Sequence, residues 1–274
     1  MRQPILLTAL ALIAFAANSL LNRWALLDGI TGPTSFAFVR LASGVVFLLL
    51  LLWWQTKTVQ IKFRPKSAAA LALYVIGFSL SYVSLATGIG ALILFGGVQM
   101  TLFGMALWDR QTISPGRYAG AMISFVGLVY LLWPDGDFDV SLSGAVLMGG
   151  AAIGWGVYTW YGRGSQNPIQ DTASNFVCAT PIALIIYLFL PDSITSTAFA
   201  LACLSGAMTS GAGYTIWYHV LPHLRATRAA VLQLTVPVIA ALMGAVVLAE
   251  PLTLKFVISA AMVILGTGLA IRSA

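Results

Sequence analysis

Charge is the scarcest property of this sequence. Of 274 residues, 14 are lysine or arginine and 8 are aspartate or glutamate, 8% in all, while 59% are hydrophobic and the mean hydropathy is +0.93. An ordinary soluble domain is about 25% charged and about 45–50% apolar. A chain this poor in charge cannot cover a water-facing surface, and a disordered chain needs the opposite composition. What remains is a polytopic membrane protein. Each helical span takes roughly 20 residues, so ten spans use about 200 and leave no room for a soluble domain.

Other shortages exclude chemistry. The two cysteines, Cys178 and Cys203, lie in apolar stretches with no CxxC spacing and no His partner, and read as small buried hydrophobes. The two histidines, His219 and His223, are four apart, but Pro222 interrupts the helix and no third ligand is near. Asp135-Gly136-Asp137-Phe138-Asp139 reads as a solvated external loop rather than a cation site. No carboxylate falls near a span centre, so no proton relay is visible, and Glu250 before Pro251 reads as a span-end residue. Without a buried His/Asp/Glu cluster the sequence predicts no catalytic residue, metal or cofactor, and no enzyme. The net charge of +6 is spread singly between apolar runs, not clustered on a face, which excludes nucleic acid as a partner.

Long uncharged runs are what the sequence does have. They predict an all-α protein of ten transmembrane helices over 4–27, 33–54, 67–86, 90–108, 115–133, 142–161, 173–190, 197–218, 227–248 and 252–271, with Thr87-Gly88-Ile89-Gly90 as a tight turn. The runs are continuously apolar rather than alternating, which favours helices over a barrel. Trp24, Trp53, Trp54, Trp108, Trp133 and Trp160 fall near span ends, as interfacial anchors do. The first segment continues apolar past Leu20 and reads as a retained span, not a cleaved signal. With the N-terminus in the cytoplasm, Arg2, Lys57, Lys62, Arg64, Lys66, Arg110, Arg117, Arg163, Arg225, Arg228 and Arg272 lie inside. Only Arg23, Arg40 and Lys255 lie outside. The positive-inside rule therefore puts both termini in the cytoplasm, and the expected location is a plasma (bacterial inner) membrane.

The halves, about 1–137 and 138–274, resemble each other. Ser114 and Thr253 each open a closing span and are followed by Gly127 and Gly266, with Asp109 and Glu250 just before. Five spans per copy is odd, so the second copy enters the membrane from the other side, an inverted-topology repeat. Arg225-Ala226-Thr227-Arg228-Ala229-Ala230-Val231-Leu232-Gln233-Leu234-Thr235-Val236-Pro237, then Ala249-Glu250-Pro251-Leu252-Thr253, resembles the EamA-type repeat of the drug/metabolite transporter superfamily, as does the pair Trp155-Gly156. The first copy departs from it, with Val98-Gln99 in place of the proline, Asp109 in place of the glutamate and Ala16-Ala17 in place of the Trp-small pair. Within the superfamily the chain is most similar to the YddG-type exporters of aromatic and other amino acids. The resemblance implies a secondary transporter that exports amino acids by alternating access. Efflux of another small amphipathic metabolite or drug is the alternative.

Polar and aromatic groups away from the interfaces are the candidates for binding that small-molecule substrate within the lipid bilayer. Asn18 and Asn22 share a face of the first helix and suit either a zwitterion or helix–helix hydrogen bonding. Gln99 and Gln233 carry the same two readings. Tyr82, Trp155, Tyr158, Tyr214 and Trp217 are candidates for an aromatic wall, with Trp217 alternatively an interface anchor. Arg40, seven residues past Pro33, either snorkels to the outer surface or meets a substrate carboxylate.

Overall fold

The computed structural model describes residues 2–108, 110, 114–133, 140–223 and 232–272, and every element among them is helical. In chain order these are α1 (Arg2–Leu26), α2 (Pro33–Thr56), α3 (Pro65–Ser81), α4 (Thr87–Trp108), α5 (Pro115–Leu132), α6 (Leu142–Gly162) and α7 (Pro168–Phe189). Then come α8 (Ser196–Leu204), a π-helical stretch (Ser205–Ala212), α9 (Gly213–Val220), a 3₁₀ turn (Leu221–His223), α10 (Val236–Leu248) and α11 (Leu254–Arg272). Among the described residues, five helices are long and apolar enough to cross a membrane: Leu6–Leu26, Pro33–Thr56, Thr87–Met105, Leu142–Gly162 and Pro168–Phe189. Pro65–Ser81, Tyr118–Leu132, Val236–Leu248 and Leu254–Ala270 are shorter apolar helices.

The helix starts are written locally. Prolines stand at the first turns of α2, α3, α5 and α7, where a missing N–H costs nothing. Ser141, Asn167 and Thr195 cap α6, α7 and α8 through their side-chain oxygens. Other starts are capped from far away in the chain. Asp192 accepts from the Thr34 and Ser35 N–H groups, both at 2.9 Å, and so holds the N-terminus of α2. Glu250 accepts from Thr87 N–H at 2.8 Å at the start of α4 and lies 3.5 Å from Arg23. Arg64 pairs with Asp171 at 2.6 Å in the first turn of α7. Two of these three clamps set a carboxylate on the partially positive start of another helix.

Three expectations change. Thr87–Gly90 is not a turn but the first turn of α4; the chain reverses at 82–86. Its glycines serve close packing instead, since a Cβ on Gly88 would meet Ala241 and one on Gly90 the Tyr82 ring. The eighth span is not one regular α-helix, because Ser205–Ala212 widens into a π-helix. The segment α7 also starts earlier than expected, at Pro168, where Asn167 supplies the cap. Residues 225–231 of the repeat motif, and Asp109, Asp135, Asp137 and Asp139, lie outside the described residues.

Packing pairs the helices in a reciprocal way. α3 lies along α6 as α1 lies along α8 and α9, while α2 packs on α7, α4 on α10 and α5 on α11. At the α5–α11 crossing a Cβ on Gly266 would sit 2.6 Å from the Gly120 carbonyl, and one on Gly127 would sit 3.2 Å from the Ser259 carbonyl. Ser124 bonds the Val263 carbonyl and Thr267 there. Large apolar side chains such as Leu50, Val146, Val246 and Leu265 remain exposed on the outside, which suits a lipid-facing surface. Trp53, Trp54, Trp108 and Trp133 are exposed at helix ends, as the anchor reading expects.

Candidate substrate site at the bundle centre

The centre of the bundle is a cluster of rings. Phe15 of α1 meets Trp155 of α6 edge-on at 5.3 Å, Tyr214 of α9 at 5.8 Å and Trp217 at 5.6 Å. Trp155 also lies 4.9 Å from Tyr74 of α3, 4.7 Å from Tyr214 and 5.5 Å from Tyr158, which stacks on Tyr218. Its indole N–H donates to Gln233 Oε1 at 3.1 Å. Edge-on and tilted ring pairs of this kind contribute about 0.5–1.5 kcal/mol each beyond burial.

One polar network threads the rings. Tyr214 O–H donates to Tyr74 Oη at 3.0 Å, and Arg40 Nη2 donates to Tyr214 at 2.7 Å and to Tyr74 at 3.3 Å. Arg40 Nε donates to Ser210 Oγ at 3.0 Å. Asn18 Nδ2 donates to both phenols, and its Oδ1 accepts from Ser205 and Thr209. Ser205, Thr209 and Ser210 all come from the π-helical stretch, whose wider turn aims three hydroxyls at α1 and α2. π-Helices recur at functional sites. Gly206 lets this stretch approach the backbone of Arg40, where no Cβ would fit.

Six of the nine predicted site residues gather here: Asn18, Trp155, Tyr158, Tyr214, Trp217 and Gln233, each buried. Burial removes Trp217 from the interface-anchor reading. Asn22 is buried one turn beyond Asn18 on α1, and its amide has no hydrogen-bond partner among the described residues. Tyr82 stands apart at the end of α3, donating to the Thr87 carbonyl at 3.2 Å, and reaches the cluster only through Phe78. Gln99 is half-buried on α4. The snorkelling reading of Arg40 is corrected, since its side chain is 0% exposed and turns inward between the Tyr74 and Phe78 rings, 5.4 and 5.1 Å from their centroids. Sequence reasoning missed Tyr74 and Phe15. The available signal was spacing: Tyr74 and Tyr214 are 140 residues apart, close to the repeat offset, and Phe15 and Trp155 are separated by the same interval.

No described group of three or more His, Cys, Asp or Glu is placed to hold a metal. A cavity of about 350 Å³ opens between Leu7, Gln55, the 166–169 segment and Thr215, beside the ring cluster in sequence through Tyr214.

Residues 142–272 match the EamA-like transporter family. An uncharacterized protein of Pseudomonas aeruginosa is 41% identical over 261 residues, 92% of this chain and 88% of that protein. An uncharacterized transporter of Archaeoglobus fulgidus is 28% identical over 253 residues, covering 88% of this chain and 89% of its own length. The uncharacterized transporter YoaV of Bacillus subtilis is 21% identical, with 85% of each chain covered. A solved crystal structure of a protein shares the fold with a TM-score of 0.70 at 13% identity, over 98% of this chain and 97% of that one. The apolar helices, the enclosed polar centre and these relatives agree: the chain belongs to the EamA-like transporter family of the drug/metabolite transporter superfamily and is a multi-pass membrane transporter.

Proposed function

We propose that the protein exports neutral amino acids, aromatic ones among them, across a bacterial inner membrane with both termini cytoplasmic. It does so by alternating access of two inverted five-helix halves. The observation that carries this reading is the ring cluster of Phe15, Trp155, Tyr214 and Trp217 around a hydrogen-bonded polar core. An apolar or aromatic side chain fits such rings, and a small polar head fits the core.

The packing supports the inverted repeat. In a two-fold arrangement, if residue i touches j, then the equivalent of j touches the equivalent of i. Ser124 meets Val263 at a separation of 139, and Gly120 meets Gly266 while Gly127 meets Ser259, the same relation read in both directions. The ring pairs Tyr74/Tyr214 and Phe15/Trp155 each span 140 residues, within one residue of that separation. A midplane site at a repeat interface is what inverted-repeat carriers use.

The test is counterflow into proteoliposomes preloaded with unlabelled amino acids, with and without a pH gradient. Saturable uptake of labelled neutral amino acids is expected. Protein that moves no member of a broad panel would sink the substrate reading and leave the fold standing.

A further inference from the structure

Arg40 is the one charged side chain among the described residues that is 0% exposed. A buried cation normally has an anion beside it, because an unpaired one loses its hydration without return. None of the described carboxylates serves. Asp28 is bonded to Thr31 and Thr195, Asp171 to Arg64 and Ser165, Asp192 to Thr34 and Ser35, and Glu250 to Thr87 and Arg23.

The acceptors nearest to it are already engaged. Tyr74 Oη already receives hydrogen bonds from Arg40, Asn18 and Tyr214. Asn18 Oδ1 receives two, from Ser205 and Thr209, and Gln233 Oε1 receives one from Trp155. Against this, Arg40 Nη1, Gln233 Nε2 and Trp217 Nε1 are buried donors with no partner among the described residues. Arg40 lies over Tyr74, Gln233 bonds Trp155 and Trp217 meets Phe15, so these open donors border one ring cluster. A single guanidinium among rings, with Arg23 and Arg64 paired elsewhere, suits one negative charge better than two.

We propose that Arg40 is the receptor for a substrate carboxylate. Its guanidinium, steered by Tyr74, Tyr214 and Ser210, takes the monoanionic head of a small carboxylate whose apolar body packs on Phe15, Trp155 and Trp217. The reading rests on the bundle centre being the transport site, and it deepens that assignment. The carboxylate is the obligatory group. An ammonium is dispensable, since no described carboxylate stands free to receive one.

Three probes of one shape separate the groups: L-phenylalanine, 3-phenylpropanoate without the amine, and phenethylamine without the carboxylate. Binding is read from the melting shift of detergent-purified protein and transport from proteoliposome uptake. Both acids are expected to bind and compete with each other, and the amine to do neither. Arg40→Gln is expected to weaken both acids at least 10-fold. The proposal is overturned if the amine binds as well as the acids, if none of the three binds, or if folded Arg40→Gln keeps wild-type affinity. Should that variant not fold, the three probes on unaltered protein decide the matter alone. Binding of 3-phenylpropanoate without counterflow of any amino acid would instead sink the amino-acid reading and leave the carboxylate receptor in place.

Discussion

Trp155 shows how one side chain ties the centre together, touching rings on α1, α3 and α9 while its N–H is fixed by Gln233. Gln233→Leu removes that acceptor and leaves the indole N–H buried and unpaired, which costs about 1–3 kcal/mol. Thermal denaturation of the purified variant should show the loss. A second residue-scale prediction concerns pH. Asp28 has its carboxyl held below the ordinary value of 3.8, first by the Thr31 backbone N–H and then by Ile30, the Thr31 hydroxyl and Thr195, against the opposing effect of burial. A carboxyl held low in the folded protein stabilises it above the unfolded pKa, and that contribution is lost as pH falls through the lower folded value. Asp28→Asn should therefore melt below wild type at pH 7, and the two melting curves should converge below pH 3.8. Arg40 marks the limit of reading at this scale. Its position showed that it was unusual, but snorkelling and burial differ by a side-chain direction that only the packing of α2 against the π-helical stretch decides.

Among the elements, helix ends and helix crossings respond to different changes. Removing the carboxylate of Asp192 strips three acceptor contacts from Thr34 and Ser35 at the start of α2. Asp192→Ala should lower stability by about 0.5–2 kcal/mol, the usual cost of losing a cap. The α5–α11 crossing fails differently. Gly266→Leu forces a side chain against the Gly120 carbonyl, so the helices must part, and overpacking of this kind costs about 1–3 kcal/mol. The structured fraction on size-exclusion chromatography and the melting temperature should both fall, while Gly268→Leu, with open space at its Cβ, should change neither. Helix positions were legible because apolar runs and proline starts are local features. The start of α4 was misread because a Thr-Gly-Ile-Gly sequence looks like a turn, whereas a carboxylate 163 residues away caps it as a helix. The π-helix left no local trace either, beyond its run of small residues.

For the whole molecule, the scarcity of charge takes on a sharper meaning. It told correctly of a membrane protein, and it left Arg40 with two readings. The structure decides against snorkelling, because this one of the few charges sits enclosed among the Tyr74 and Phe78 rings. The proposed repeat rests in the sequence on paired glycines and hydroxyls near span ends. The central ring pairs, Tyr74 with Tyr214 and Phe15 with Trp155, become visible only in the packed bundle. The most direct measurement of the central claim is saturable counterflow of labelled L-phenylalanine in proteoliposomes, comparing wild type with Trp155→Ala and with the exposed Trp54→Ala, each checked for folding by its melting curve. The account expects Trp54→Ala to match wild type and folded Trp155→Ala to lose at least 10-fold in uptake. Counterflow by folded Trp155→Ala equal to wild type would contradict it.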